Sequence, residues 1–113
     1  MSEQQEQYEG IFILDSEQAE ESLTQLQEKI TGQITQGGGK IEATQVWGKR
    51  RLAYRVRNKR DGFYVLLRFQ AAPASIEPLG QWCALQEGLL RQLVTKAEQP
   101  LETAEVGQDG KSK

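Results

Sequence analysis

The chain has 113 residues, a formal net charge of −2, one cysteine and no histidine. This length fits one domain with a single small core. Without histidine the chain lacks the commonest general base and the commonest transition-metal ligand. Cys83 has no second cysteine to pair with, and it lies beside Trp82 among apolar residues, so we expect a buried thiol rather than a nucleophile. We therefore expect no catalysis, no cofactor, no metal site and no small-molecule substrate.

Both ends of the chain are polar. Residues 1–7 and 98–113 are almost free of bulky apolar side chains, a composition typical of flexible termini. We therefore predict one folded domain over residues 8–97. No apolar run approaches the roughly 18–20 residues of a membrane span, and the N-terminus lacks the basic and apolar parts of a signal peptide. We expect a cytoplasmic protein with no membrane partner.

The first predicted elements are a short apolar strand and an amphipathic helix. "YEGIFIL" at residues 8–14 is dense in Ile and Phe and predicts a strand in the middle of a sheet. Asp15 or Ser16 is the predicted N-cap of the helix that follows. Apolar residues then recur at helical spacing, at Leu23, Leu26, Ile30 and Ile34. "GGG" at residues 37–39 is predicted to end this helix.

Residues 40–57 are predicted to form one long strand with a kink. "KIEATQVW" and "RLAYRVR" both alternate apolar and polar residues. The apolar positions are odd in the first part, as at Trp47, and even in the second, as at Leu52 and Tyr54. Because side chains of a strand alternate between its faces, an unbroken strand would place one set on the wrong face. We therefore predict a bulge near Gly48.

The second half of the chain completes an α+β pattern. "NKRDG" at residues 58–62 predicts a turn, and "FYVLLRF" at residues 63–69 predicts a second central strand. Pro73 is the predicted start of a second helix that Gly88 ends, and "LLRQLVT" at residues 89–95 predicts a last strand. This order predicts a ferredoxin-like βαββαβ plait, a four-stranded antiparallel sheet with two helices on one face.

Basic residues are concentrated in one part of this acidic chain. Eight of the fourteen Lys and Arg residues lie between residues 49 and 68, where Asp61 is the only acid. Arginine forms bidentate contacts with phosphate, so this run favours binding to the RNA backbone with little sequence selectivity. The central strands offer few aromatic residues on which bases could stack. The alternative is a solvated edge strand whose charges prevent aggregation.

The chain resembles the bacterial and plastid small-subunit ribosomal proteins conventionally numbered six. The resemblance rests on four segments that occur in the same order with similar spacing: "YEGIFIL", "VWGKRRLAYRV", "DGFYVLLRF" and "LLRQLVTK". It implies a ferredoxin-like fold and a structural role in the small ribosomal subunit. It also implies binding to the central domain of 16S ribosomal RNA together with small-subunit ribosomal protein eighteen. The ribosome would be cytoplasmic, or that of a plastid if a transit peptide has been removed. The alternative is a free-standing ferredoxin-like regulatory or protein-interaction module.

Carried over residue by residue, the resemblance implies a set of site residues. The RNA-facing residues are Tyr8, Lys49, Arg50, Arg51, Tyr54, Arg55 and Arg91. Trp47 is the expected anchor for the protein partner, with ordinary core packing as the alternative. The chain departs from many members of the family at Arg55, where they carry proline, and in the acids that precede Tyr8. Residues 98–113 match no motif, and they either lie against the protein partner or are disordered.

Overall fold

The computed structural model describes residues 5–97, which form a single four-stranded sheet with two helices. The elements in chain order are β1 (Glu6–Leu14), α1 (Glu20–Gln36), β2 (Lys40–Val56), β3 (Lys59–Ala71), a 3-10 turn (Pro73–Ser75), α2 (Ile76–Ala84) and β4 (Leu89–Lys96). All pairings are antiparallel, in the order β2-β3-β1-β4. The predicted ferredoxin-like plait, with β1 and β3 at its centre, is confirmed. The predictions for residues 1–4 and 98–113 lie outside the described residues.

The core lies between the two helices and one face of the sheet. The four apolar residues of α1 that recur at helical spacing are all buried. Phe12 and Leu14 of β1 and Phe69 of β3 are fully buried against them. Cys83 of α2 is buried in the same core, as predicted, and burial raises the pKa of its thiol to about 11. The thiol is therefore protonated and unreactive at neutral pH.

The first turns of both helices differ from the sequence predictions. α1 has Ala19 as its N-cap, so the prediction of Asp15 or Ser16 is wrong. A carboxylate oxygen of Asp15 instead accepts a hydrogen bond from the backbone N–H of Glu17 at 3.0 Å and closes a turn after β1. Pro73 begins the 3-10 turn rather than α2, and α2 ends at Ala84, before Gly88. Aspartate and proline both favour tight turns, and here they mark turns that precede a helix.

β2 carries the bulge that its alternation predicts. The pairing register between β2 and β3 shifts between Val46 and Gly48, and Gly48 has a φ of 84°. A residue with a Cβ is strained at a positive φ, so glycine suits this position. Trp47 and Tyr54 thereby face the same side of the sheet although their numbers differ in parity.

The hairpin turn between β2 and β3 comes earlier than predicted. Arg57 and Asn58 are its two central residues, with φ values of 52° and 66°. Two consecutive positive φ values are typical of a type I′ turn, whose twist matches that of the flanking strands. Asp61 and Gly62 lie within β3 instead of the turn. β1 also begins at Glu6, two residues before the predicted start.

Candidate functional site

The outer end of the β2–β3 hairpin bends over the sheet face that the helices leave open. The hydroxyl oxygen of Tyr54, on β2, accepts a hydrogen bond from Nη1 of Arg91, on β4, at 3.1 Å. The Arg91 guanidinium also lies 5.8 Å from the centroid of the Tyr54 ring. Since β2 and β4 are the two edges of the sheet, this contact spans β3 and β1.

The bend depends on a close approach at Gly62. A Cβ on Gly62 would collide with a methyl group of Ile13 and would lie 3.3 Å from a methyl group of Leu52. The register between β2 and β3 shifts between Arg51 and Val56, which frees this part of β2 to leave the plane of the sheet. Leu52 is buried as a result, with only 7% of its surface exposed.

A cavity of about 340 Å³ lies between the bent hairpin and the sheet. Its lining is mainly apolar and includes Ile11, Ile13, Leu52, Tyr54, Tyr64 and Leu93. We call this surface the open-face groove. Tyr54 and Leu93 are 63% and 59% exposed, so much of the apolar surface at the groove faces solvent.

Most of the basic residues of the hairpin are exposed and not neutralised. Five of them form no ion pair with a carboxylate among the residues that the structure describes: Lys49, Arg50, Arg55, Arg57 and Arg60. We call these five the hairpin cations. Arg51 is also exposed, and its Nε lies 3.8 Å from a carboxylate oxygen of Asp61. An exposed pair of this kind is weak, so Arg51 keeps most of its capacity to bind an anion.

Two other cations of the basic run pair with carboxylates within the domain. Nζ of Lys59 lies 2.7 Å from a carboxylate oxygen of Glu17 and 3.5 Å from one of Asp15. The hydrogen bond to Glu17 is the main reason why the pKa of Lys59 is raised. Arg68 is buried, and its Nη1 lies 3.9 Å from a carboxylate oxygen of Glu9. The excess of positive charge is therefore smaller than the sequence indicates, and it is confined to the hairpin.

The structure brings six of the seven predicted RNA-facing residues together. These six lie on the hairpin or in contact with it: Lys49, Arg50, Arg51, Tyr54, Arg55 and Arg91. Tyr8 lies elsewhere, because even-numbered residues of β1 face the helices. Its ring stacks on Phe69 with 5.8 Å between centroids, and only 8% of its surface is exposed. This position in the core does not support the predicted contact of Tyr8 with RNA.

Trp47 is part of a stack on the open face. Its ring lies 14° from parallel to that of Tyr64, with 6.1 Å between centroids, and the Arg50 guanidinium lies 5.6 Å from the centroid of the Trp47 ring. The indole N–H donates to the side-chain oxygen of Gln45 at 3.2 Å. Trp47 is thus half-buried beside the hairpin cations rather than in the core. Tyr64 is not among the site residues predicted from the sequence, although the alternation of "FYVLLRF" places it on this face once the strand order is known.

The fold and this surface define a class of protein, a ferredoxin-like α+β domain that displays a basic hairpin on one side. The family model of ribosomal protein S6 matches residues 7–96. The chain belongs to this family, and it is therefore a structural, non-enzymatic protein of the small ribosomal subunit.

Relatives agree with this assignment, and a solved structure shares the fold. The small ribosomal subunit protein bS6 of Moorella thermoacetica is 36% identical over 92 residues, which cover 81% of this chain and 94% of the relative. That of Streptomyces coelicolor is 37% identical over 91 residues, covering 80% and 95%. The crystal structure of 30S ribosomal protein S6 from Thermotoga maritima gives a TM-score of 0.79 at 20% identity, covering 97% of this chain and 100% of that one.

One structural neighbour belongs to a protein of another name. The C-terminal domain of the MgtC protein from Mycobacterium tuberculosis gives a TM-score of 0.61 at 15% identity, covering 87% of this chain and 94% of that one. At this identity the likeness shows a shared fold alone. Within residues 5–97, no helix has the length and apolar character needed to cross a membrane.

Proposed function

We propose that the chain binds the central domain of 16S ribosomal RNA together with small-subunit ribosomal protein eighteen, on the cytoplasmic ribosome. The observation that carries this proposal is the set of hairpin cations, which are exposed and have no carboxylate partner within residues 5–97. Such cations release the condensed counterions of RNA when they contact its phosphates. The affinity therefore falls as the salt concentration rises.

The proposed RNA contacts lie along the hairpin within the domain of residues 8–97. Lys49, Arg50, Arg51 and Arg55 would contact phosphates, with the arginines able to bind two phosphate oxygens at once. Tyr54 and Arg91 would form a second point of contact where the hairpin meets β4. We leave Tyr8 out because it is buried in the core.

The charge of the chain explains why a second protein would be needed. The chain carries 16 acids against 14 Lys and Arg residues, and eight of these cations lie in residues 49–68, so the rest of the chain has a net negative charge that disfavours RNA. A basic partner bound beside the hairpin would add phosphate contacts that the chain lacks. We propose Trp47 as the anchor for this partner, since a half-buried tryptophan on an open sheet face is typical of interface centres.

The experiment compares two double variants that each remove two positive charges. Arg50→Ala with Arg51→Ala is expected to weaken binding to a fragment of the central domain in the presence of the partner. It should also reduce the slope of log affinity against log salt by about 2. The control is Lys29→Ala with Lys40→Ala, on α1 and at the start of β2, where both side chains are exposed and distant from the hairpin. Equal slopes for the two double variants would contradict the proposal.

The same measurement without the partner tests the second half of the proposal. We expect much weaker RNA binding by the chain alone, and a gain on adding the partner. An affinity that does not change when the partner is added would show that the chain binds RNA by itself.

A further inference from the structure

The open-face groove combines aliphatic side chains, an aromatic ring and one guanidinium. Ile13 and Leu93 contribute methyl groups to its lining, and Tyr54, which also lines it, is 63% exposed. Arg91 lines the groove as well and forms no ion pair with a carboxylate among residues 5–97. A ligand that fits this surface has a flat apolar face and an edge that accepts hydrogen bonds.

The guanidinium of Arg91 is held in place by Tyr54. Its Nη1 donates to the Tyr54 hydroxyl oxygen at 3.1 Å, and it lies 5.8 Å from the centroid of the Tyr54 ring. Arginine has five N–H donors in a planar fork, and this hydrogen bond uses one of them. The others can pair with two acceptor atoms of one ligand, as arginine does with N7 and O6 of guanine.

The size of the groove suits one nucleotide better than a longer segment. Its volume of about 340 Å³ lies near the lower end of the range of roughly 300–1,000 Å³ that small-molecule sites occupy. Proteins recognise a single unpaired base by stacking it on aromatic or apolar side chains and by hydrogen bonds to its edge. The groove offers both kinds of contact, the first from Tyr54 and Leu93 and the second from Arg91.

Positive charge beside the groove favours a nucleotide over a segment of protein. The Arg50 guanidinium lies 5.6 Å from the centroid of the Trp47 ring, and Trp47 stacks on Tyr64, which lines the groove. Phosphates on either side of a bound base would therefore lie near cations that have no carboxylate partner within residues 5–97. A segment of a basic protein would leave Arg91 without an anion.

We propose that the open-face groove binds one unpaired guanine of the RNA. The base lies against Leu93 and the ring of Tyr54, and the Arg91 guanidinium donates to its N7 and O6. This inference rests on the proposed binding of RNA at the hairpin, and it adds selectivity at one position to contacts that otherwise recognise the backbone. The central strands alone do not predict such a site, because Tyr54 belongs to an edge strand that bends over the open face.

The selectivity is tested with the full chain and two RNAs of five nucleotides, UUGUU and UUUUU. Both carry the same phosphates, so only the middle base distinguishes them. At low salt we expect UUGUU to bind at least about fivefold more tightly, the lower end of what a bidentate contact between arginine and guanine contributes. Equal affinities would overturn the guanine site and leave the phosphate contacts unaffected.

The role of Arg91 is tested by Arg91→Gln, with the ratio of the two affinities as the readout. We expect the preference for UUGUU to be lost, because glutamine lacks the fork that matches N7 and O6. Arg60→Gln removes the same charge from a hairpin cation that does not line the groove. It should keep the preference for guanine, whatever its effect on the two affinities. A preference that survives Arg91→Gln, or is lost equally in both variants, would contradict the assigned contact.

The position of the base is tested by nuclear magnetic resonance on the complex of the full chain with UUGUU. We expect cross-peaks between the H8 proton of the guanine and the methyl groups of Ile13 and Leu93. None is expected to the methyl groups of Val46, which is also exposed but does not line the groove. Cross-peaks from H8 to residues outside the groove only would overturn the site.

Two further outcomes separate this site from the proposed function. If the methyl groups of Ile13 and Leu93 contact partner protons instead of RNA protons in the complex with the partner and the central-domain fragment, the occupant is a protein and the guanine site is overturned. Failure to bind either five-nucleotide RNA at low salt would also overturn it. A chain that binds UUGUU in the groove but not the central-domain fragment would keep the guanine site and contradict the proposed function.

Discussion

At the scale of single residues, Gly48 determines which side chains of β2 reach the open face. Its φ of 84° accommodates the bulge that changes the parity of the strand. Trp47 before the bulge and Tyr54 after it therefore both contact open-face residues, Tyr64 and Arg91 respectively. Without the bulge, one of the two aromatic side chains would face the helices instead.

Replacing Gly48 with alanine is expected to lower the free energy of unfolding by about 1–2 kcal/mol, the cost of a Cβ in a left-handed conformation. No atom lies within 4 Å of the position that this Cβ would occupy, so the loss would come from backbone strain and not from a collision. Unfolding in urea measures this loss of free energy. Gly32→Ala on α1 is the control, since its Cβ also meets nothing within 4 Å, and we expect it to stabilise the protein by about 0.5–1 kcal/mol. A Gly48→Ala protein as stable as the parent would show that the bulge does not require glycine.

At the scale of elements, one contact between the two edge strands adds to the packing at Gly62 in holding the bent hairpin. Tyr54 and Arg91 are 37 residues apart in sequence and join β2 to β4 by a hydrogen bond and a cation–π contact. The contact is exposed, which limits its strength. Its effect is to hold the hairpin cations next to β4 instead of letting the hairpin extend into solvent.

A double-mutant cycle measures this contact. The single variants Tyr54→Ala and Arg91→Ala and the double variant are expected to give a coupling energy of about 0.5–1 kcal/mol in urea unfolding. Lys96→Ala on the same strand should combine additively with Tyr54→Ala, because Lys96 pairs with Glu6 instead. A coupling energy near zero for Tyr54 and Arg91 would mean that the bend is maintained by the packing around Gly62 alone.

Sequence patterns predict the elements far better than their ends. The alternation in β2 predicts both its length and its bulge, because strand periodicity is a local property. The predicted N-cap at Asp15 and the predicted helix start at Pro73 each come a few residues too early. Both residue types favour turns as well as helix starts, so the sequence alone does not distinguish the two. The contact between Tyr54 and Arg91 could not be predicted, because no periodicity reports on two edge strands that meet across a sheet. The position of Tyr8 in the family motif likewise does not show which face of β1 carries its ring.

At the scale of the whole molecule, Lys59 connects the hairpin to the turn that follows β1. Its ammonium group contacts Glu17 and Asp15, so the start of β3 is held to the loop before α1. The hydrogen bond to Glu17 raises the pKa of Lys59 above its ordinary value of 10.5, so the folded protein holds this proton more tightly than the unfolded chain does. The stabilisation from this contact is therefore fully present below pH 10.5 and is lost as the pH rises through the higher pKa of the folded state.

The substitution Lys59→Gln is accordingly expected to destabilise the protein at neutral pH. The difference in free energy of unfolding between the parent and the variant should shrink as the pH rises above 10.5. Unfolding of both proteins in urea at a series of pH values measures this difference. Lys40→Gln, which removes an exposed lysine without an ion pair among residues 5–97, should show no such dependence. A difference for Lys59→Gln that stays constant through the alkaline range would contradict this role of the ammonium group.

The order of strands in the sheet also bears on how the chain is made. β1 is synthesised early, but its partners are β3, with Glu6 opposite Ala71, and β4, with Tyr8 opposite Lys96. At roughly 5–20 residues per second, the 65 residues from Glu6 to Ala71 take about 3–13 s to translate. Throughout that time the apolar segment "YEGIFIL" has no neighbouring strand and resembles the short segments that aggregate between nascent chains. The central strand therefore lacks its partner until most of the chain has been translated, and the long sequence separation between β1 and β3 lengthens the period in which nascent chains can aggregate.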